Sequence, residues 1–516
     1  MRSTKFQAPS SRQVPSTKLQ SIWYGDGEPR TASQKQSLNI GASLELGCWC
    51  LELRSRRRAS ILVGLLWCLA LLSVVVIGVL HTARTDMLVV KNYGDRVQAH
   101  YLALAGIEKA RALLMQDARQ RSHSGVSHGA GLYNAEDQFR DVALGRGQFR
   151  VIRRGRDDEG GGIIYGVSDE ESRLNLNRAG AGELGKLQNM TGDVLAALLD
   201  WRDEDNTVTP GGAEADFYMS QNPPSMPRNG AFQTVRELLM VRGVSRDLLF
   251  GHDTHQNGFL QAAGPDGQEA ATASSADAGW ANMLTVDSSV NNVNATGDDR
   301  INVQQADENT LAGIRGITSD IARAIVAYRG RNQFQSLADL LDVTSAQNQN
   351  QGGRGGRNQN SRGNQSPNQT AADVQAGRNG SDSSGPKVIS QNLLTDIADD
   401  ITVEQGGELA GVVNINTASL EVLTCLPGMS KELAQRVISH RQANGFFSNI
   451  AGVLKVQGMT TDIFKQLAPR IETRSETFRI LSEGKVKSTG ARQRIQAIVH
   501  VGLNSLVTVS YREDDL

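Results

Sequence analysis

The stretch ILVGLLWCLALLSVVVIGVL, Ile61–Leu80, carries no charge over its 20 residues. That is the length an α-helix needs to cross the roughly 30 Å hydrocarbon layer of a bilayer. Arg54, Arg56, Arg57 and Arg58 stand just before it. A basic flank stays in the cytoplasm, which predicts a single pass through a membrane, a cytoplasmic N-terminus and everything after Leu80 on the far side. A cleavable secretory signal has an apolar core of only about 7–15 residues; this run is longer, and no small-residue cleavage site ends it. The helix is predicted to continue. Val90, Tyr93, Val97, Tyr101, Leu104 and Ile107 recur at spacings of three and four, an amphipathic stripe, and no proline interrupts Ser60–Gln120. A helix from Ser60 to Leu114 is about 80 Å long at ~1.5 Å per residue. Such a rod needs neighbours of its own kind.

The rest of the chain narrows the class. Its 516 residues allow several domains, and a net charge of −1 asks for no polyanionic partner. Aromatics at 5% and 53 glycines, with long polar stretches, mean that much of it forms no packed core. The four cysteines, Cys48, Cys50, Cys68 and Cys425, make no framework and no zinc-type pair. Eight histidines form no constellation, and no Ser/His/Asp, P-loop or GxGxxG arrangement occurs, so an enzyme is not expected.

A three-fold repeat organises the region beyond the helix. Leu174-Asn175-Leu176-Asn177-Arg178-Ala179, Ile301-Asn302-Val303-Gln304-Gln305-Ala306 and Val413-Asn414-Ile415-Asn416-Thr417-Ala418 align without a gap. Leu184, Leu311 and Leu423 follow in register, then a turn centred on Asn189, Gly316 or Gly428, then Thr191, Thr318 or Ser430, then Arg202, Arg329 or Arg441. An aromatic residue comes next: Phe232, Phe334 or Phe447. Copies one and three continue into a second turn at Gly243 and Gly458. Each unit reads as helix, tight turn, helix. Gly or Asn takes positive φ in the turn, and the Thr or Ser after it caps the next helix.

This pattern resembles the helix-hairpin-helix motif, and the NINTA…LPGM…R…F opening of copy three is similar to the competence-type DNA-binding version. The resemblance implies that turn amides can hold a phosphate. Charge argues for a packing role instead. Lys+Arg against Asp+Glu is 7 to 10 over Leu174–Gly251, 4 to 5 over Ile301–Val343 and 6 to 4 over Gly411–Thr473. A DNA binder needs a basic face, so nucleic acid is not the expected partner.

The order of features resembles the minor pseudopilin family of type II secretion, general secretory pathway protein K. Four stretches carry the resemblance: Ala59–Trp67 after the basic flank; Ala103-Leu104-Ala105-Gly106-Ile107-Glu108; Asp200-Trp201-Arg202-Asp203-Glu204-Asp205 with Gly212-Ala213-Glu214; and Leu284-Thr285-Val286 leading to Arg300-Ile301-Asn302-Val303. It implies that a prepilin peptidase cuts after Ala59 and leaves Ser60 as the mature N-terminus. Major pilins carry glutamate at the fifth mature position; here it is Gly64. It further implies a structural subunit at the tip of a periplasmic pseudopilus, with the other minor pseudopilins and the fibre as partners. The 59-residue leader is longer than the family's, and the third repeat exceeds its usual helical domain. The alternative is a membrane-anchored helix-hairpin-helix DNA receptor of the competence type.

Copy one is split by an acidic insertion, Asp203–Ala231. Carboxylates on a loop beyond a helix end suit a hard cation such as calcium. The family resemblance assigns calcium to Asp200, Asp203, Asp205 and Glu214; a solvated acidic loop is the plainer reading of the residues alone. The expected fold is α+β. It comprises a leader (1–59), a transmembrane and pilin helix (60–115), a first group of strands of a pilin-like antiparallel sheet (116–168), and repeat one with its acidic loop (169–251). A linker with a short strand (252–300), repeat two (301–344), a disordered Asn/Gln/Gly-rich linker (345–388), repeat three (389–473) and the last strands (474–516) complete it. Gln148–Ile152 and Gly162–Val167 form the first strand group, and Thr477–Ile480, Arg494–His500 and Leu506–Tyr511 the second. The helical repeats are inserted between the two groups.

Overall fold

The computed structural model describes residues 60–124, 130–253, 279–345, 386–502 and 505–514. The predicted leader with Ala59, and most of the predicted linkers His252–Ala278 and Ser345–Lys387, lie outside the described residues. The chain divides into two units, 1–79 and 80–516. In the first, Ser60 opens helix α1, Ser60–Ser124, and the apolar side chains from Ile61 to Val79 are exposed. Among the described residues α1 is the one helix long and apolar enough to cross a membrane. It runs to Ser124, beyond the expected end at 115.

In the second unit α1 packs on an antiparallel sheet. Its strands are β1 (Val142–Leu144), β2 (Gly147–Arg154), β3 (Ile163–Tyr165), β4 (Ser168–Asp169), β5 (Thr477–Val486), β6 (Arg492–Val501) and β7 (Leu506–Asp514). The order is β1-β2-β5-β6-β7, with β3 beside β2 and β4 beside β5. The two strand groups meet where β2 pairs with β5, Ile152 opposite Leu481 and Phe149 opposite Gly484. One sheet face, with Phe478, Ile480, Ile495, Ala497 and Val499, joins α1 through Ala103, Ile107, Ala110 and Leu114 in a single core.

The packed face of α1 differs from the expected stripe. Ile107 is buried, but Val90, Tyr93 and Tyr101 are exposed, Tyr93 to 71%. The contact is made through Ala99, Leu102, Ala103, Gly106 and Ala110. Small residues let backbones approach closely, and a search for large apolar residues passes over them. A Cβ on Gly106 would stand 2.1 Å from Ser482 Oγ, and one on Gly484 would stand 2.1 Å from the Ala99 carbonyl oxygen. Two glycines, one on the helix and one on the strand, thus set the spacing.

The chain leaves the sheet after Asp169 and re-enters at Thr477; the helical repeats lie between and share one hydrophobic core. Each repeat is closed by a short parallel pair that its sequence does not announce. Leu174-Asn175 pairs with Leu284-Thr285, Ile301-Asn302 with Ile401-Thr402, and Val413-Asn414 with Ile471-Glu472. These pairings correct the expected start of repeat three at 389. Residues 389–402 complete repeat two, whose second hairpin is interrupted by the long polar stretch rather than followed by it. In copies one and three the second turn is short, with Val244 N–H donating to the Val241 carbonyl and Met459 N–H to the Val456 carbonyl. In copy two the equivalent Val343 carbonyl accepts from Val388 N–H at 3.0 Å, across an antiparallel bridge between Thr344 and Lys387.

Candidate functional site

The turns of the repeats were one candidate site. Asn189, Gly243, Gly316, Gly428 and Gly458 all have positive φ, between 62° and 95°. After each turn a hydroxyl accepts an N–H of the next helix. Thr191 takes that of Val194 at 3.3 Å, Ser245 that of Leu248 at 3.2 Å, Thr318 that of Ile321 at 3.4 Å, Ser430 that of Leu433 at 3.2 Å and Thr460 that of Ile463 at 3.3 Å. Ser390 does the same for Leu393 at 3.2 Å in the interrupted hairpin of copy two.

The recurring polar residues also have structural partners. The side-chain carbonyls of Asn175, Asn302 and Asn414 accept the N–H two residues on. Asn177, Gln304 and Asn416 accept the N–H of Phe232, Phe334 and Phe447. Arg202 donates to the Leu176 and Ala179 carbonyls, Arg329 to Val303 and Arg441 to Ile415. The arginine register read in the sequence is thus a latch from the second helix back to the opening of the repeat.

The paired hairpins lie against each other. A Cβ on Gly243 would stand 2.8 Å from Val194 Cγ2, one on Gly316 3.0 Å from Leu393 Cδ1 and one on Gly428 3.2 Å from Ile463 Cγ2. At Gly458 the neighbour is Arg436, whose guanidinium donates to the Gln457 carbonyl at 3.2 Å. Repeats one and three are tied by Arg470, which pairs with Glu183 at 2.9 Å, and by Lys186, which donates to the Leu426 carbonyl at 2.8 Å.

The acidic loop gathers three carboxylates. Asp200 lies in the last turn of helix Gly192–Arg202, Asp203 is its C-cap, and Glu214 is the N-cap of the short helix Ala215–Met219. Ligand atoms of Asp200, Asp203 and Glu214 lie within 4.8 Å of one another. Asp200 is 0% and Glu214 2% exposed. Both Glu214 oxygens and Asp203 Oδ1 have no hydrogen-bond partner, although buried carboxylate oxygens are rarely left so. Asp200 accepts the Thr209 N–H at 3.2 Å. Gly212 lies so close to it that a Cβ there would stand 2.0 Å from Asp200 Oδ2. Burial, then Asp205 and Asp200, push the Asp203 carboxyl above its usual range; burial, then Asp203 and Asp200, do so for Glu214. Asp205 is exposed, accepts the Thr207 N–H at 2.7 Å, and is not among the converging three. Orphaned buried oxygens, like charges held together and a cradle without a side chain suit a hard cation.

Trp201, inside the Asp200–Asp205 motif, is a core residue. It stacks near Phe232 at 6.4 Å, meets Tyr218 edge-on at 5.1 Å and donates through Nε1 to Glu237 at 3.0 Å. Gly64 is exposed, with no atom within 4 Å of where its Cβ would be.

Comparison with known proteins places these features. Residues 172–250 match the family model for type II secretion system (T2SS), protein K. Residues 297–347 and 410–472 match that for the helix-hairpin-helix motif. The chain is 30% identical over 207 residues to type II secretion system protein K of Pectobacterium carotovorum subsp. carotovorum, covering 38% of this chain and 61% of that protein. It is 30% identical over 167 residues to the Klebsiella pneumoniae protein, covering 30% and 48%. It thus spans about half to three-fifths of the length of these relatives. ComE operon protein 1 of Bacillus subtilis (strain 168) is 34% identical over 70 residues, 14% of this chain and 34% of that one. The solved GspK-GspI-GspJ complex from the enterotoxigenic Escherichia coli Type 2 Secretion System has a chain aligned over 81% of this one and 98% of its own, at 12% identity and a TM-score of 0.37.

Proposed function

We propose that this chain is a minor pseudopilin of the type II secretion system protein K family, to which it is similar. In this reading α1 anchors it in the inner membrane, its bulk stands in the periplasm, and it caps or initiates a short fibre with the other minor pseudopilins, for protein export. The observation that carries this is the helix itself. One face of α1 is consumed by its own sheet through alanines and glycine, while Val90, Tyr93 and Tyr101 remain uncovered on a rod that begins as an apolar span. An exposed apolar stripe of that kind is satisfied by packing beside similar rods. At Gly64 there is no carboxylate, which in lipid would need a paired charge, so this subunit makes no such pair with a neighbour's N-terminus. Processing by a prepilin peptidase between Ala59 and Ser60 is part of the proposal. Sequencing the mature N-terminus tests it: a start at Ser60 is expected, and an intact leader or a cut beyond Leu80 would overturn it.

Calcium belongs to the same proposal. Asp200, Asp203 and Glu214 would hold the ion, with Asp205 two residues beyond Asp203. Its charge would neutralise carboxylates that otherwise repel each other and would fix the 203–214 loop to the end of its helix. Terbium luminescence on the full chain in detergent, competed by calcium, tests this; no sensitised emission, or emission unchanged in Glu214→Gln, would refute it. A DNA receptor would instead bind duplex DNA with a steep salt dependence. Anisotropy with a labelled duplex distinguishes the two, and no binding at micromolar protein is expected.

A further inference from the structure

The sheet and the helical repeats are joined by two stretches of chain, the exit at 169–171 and the return at 475–477. They run side by side where Asp169 stands opposite Phe478. Two carboxyls are buried in this junction: Asp169 is 3% and Glu171 0% exposed. The Glu171 N–H donates to Asp169 Oδ1 at 2.9 Å, and its carboxyl meets that of Asp169.

Donors from separate parts of the fold converge on the pair. Asp169 Oδ2 accepts from Ser475 Oγ at 2.7 Å, from Asn414 Nδ2 at 3.1 Å and from the Thr417 hydroxyl, and the Tyr133 hydroxyl stands 3.5 Å away. Glu171 Oε1 accepts the Thr477 N–H at 3.1 Å and the Ser289 N–H at 3.2 Å. The Glu171 carbonyl accepts the Asn414 N–H at 2.7 Å. The pair thus ties both connecting stretches to the opening of repeat three and to Ser289, between repeats one and two.

The nearby cations serve other anions. Arg479 pairs with Glu170 at 2.6 Å. Arg173, which feels the Asp169 charge, donates to the Ala281 carbonyl at 3.2 Å and approaches Glu170 at 4.0 Å. Arg153 pairs with Glu159 at 2.7 Å and Arg156 with Asp158 at 3.1 Å. From β6, His500 Nδ1 stands 3.2 Å from Thr477 Oγ1, and its Nε2 3.8 Å from Glu476. Among the described residues no cationic side chain pairs with Asp169 or Glu171. Two carboxyls in contact, out of water and without a counter-charge, do not both ionise; one keeps a proton. Burial, then the Asp169 charge, push Glu171 well above the usual carboxylate range; burial pushes Asp169 up against the pull of Thr417 and Ser475. A cavity of about 60 Å³ beside Asp169, which Tyr133, Thr417, Arg153, Arg154, Arg156 and Arg173 also line, has room for water to exchange this proton.

We propose that the proton shared by Asp169 and Glu171 is a clasp that holds the repeats against the sheet, and that its release opens the junction. With the proton in place one carboxyl donates to the other, and a single negative charge is left for the donors around it. Without it two charges face each other, and the hydrogen bonds that cross the junction part to admit water. The fold holds the proton more tightly than the unfolded chain does. The clasp is therefore whole below the ordinary carboxylate range and weakens as pH rises through the raised one. This rests on the junction alone and stands whether or not the pseudopilin reading does.

Hydrogen–deuterium exchange on the full chain in detergent, corrected for the intrinsic rate, tests this through peptides that carry Ser289, Asn414 and Thr477. Their opening should grow by up to about tenfold per pH unit once the clasp begins to release, while peptides from the middle of β6 hold. Glu171→Gln, whose amide donates to Asp169 at every pH and still accepts the two N–H groups, should abolish that rise; His500→Gln should keep it. In the wild type an infrared C=O band of a protonated carboxyl should persist at about pH 7 and fade over the range in which the amides open, a reading that needs no variant. Opening independent of pH, a rise unchanged in Glu171→Gln, a rise lost in His500→Gln, or the lack of such a band at about pH 7 would each overturn the proposal.

Discussion

Replacing Gly484 by alanine tests the contact between α1 and the sheet. The added Cβ would stand 2.1 Å from the Ala99 carbonyl oxygen and 2.5 Å from Ala103 N, where ordinary contact begins at 3.4 Å. Both neighbours are helix backbone, so no rotamer change relieves the clash. The helix must retreat by about 1.3 Å, the difference between the two distances, and loosen the alanine contacts beside it. Overpacking of this kind costs about 1–3 kcal/mol, and rigid backbone on both sides puts this site at the upper end. At about 2 °C per kcal/mol for a large unit, the melting temperature should fall by roughly 5 °C. Gly182→Ala is the control, because a Cβ there meets nothing within 4 Å and the residue is helical. It should stabilise by up to ~1 kcal/mol. Scanning calorimetry on the full chain in detergent reads both. If Gly484→Ala melts with the wild type while Gly182→Ala behaves as stated, the helix does not lie on that strand.

In chelator, Glu214→Gln should melt higher than the wild type at neutral pH. Its carboxyl is pushed up in the fold, so the native state holds the proton more tightly and loses stability as pH rises through that range. The gap should close as pH falls below the ordinary carboxylate range, and saturating calcium should reverse its sign. By contrast, Arg300 and Arg474 draw Glu472 down to about 2 against its burial. Its contribution should be whole above about pH 4.5 and disappear as pH falls toward 2, seen as a shrinking melting difference between wild type and Glu472→Gln. Arg441→Met leaves the Ile415 carbonyl without its guanidinium and Asp158 with that of Arg156 alone, and should cost about 1–3 kcal/mol in denaturant titration. No change in midpoint would remove the latch role.

What the sequence revealed follows from which forces repeat along a chain. Uniform apolarity over Ile61–Leu80, tight turns with Gly or Asn at positive φ, and a hydroxyl after each turn are local needs, so they recur visibly in all three copies. The sheet strands were legible because alternation persists over β2, β5, β6 and β7. The three parallel closures were not. Leu284-Thr285, Ile401-Thr402 and Ile471-Glu472 are two residues each, too short to carry a period, and their partners lie far away in sequence. The face of α1 that meets the sheet escaped for a different reason: its signal is the absence of side chain at Ala99, Ala103 and Gly106. Of the acidic loop, the composition was legible, whereas the separation of Asp205 from the other three depends on how the chain turns back at Gly211-Gly212.

The bridge between Thr344 and Lys387 has a consequence for the history and engineering of the molecule. Lys387 and Lys465 both pair with Asp342, so the two ends of the interruption are pinned to the core within a few residues of each other. The cost of closing a loop grows slowly, about 0.6 kcal/mol for each doubling of its length. Whatever is spliced between those anchors is therefore nearly invisible to the stability of the second repeat. Natural variants could gain or shed residues there, and a reporter domain whose termini lie close together could be grafted in, without disturbing the hairpin that resumes at Ser390.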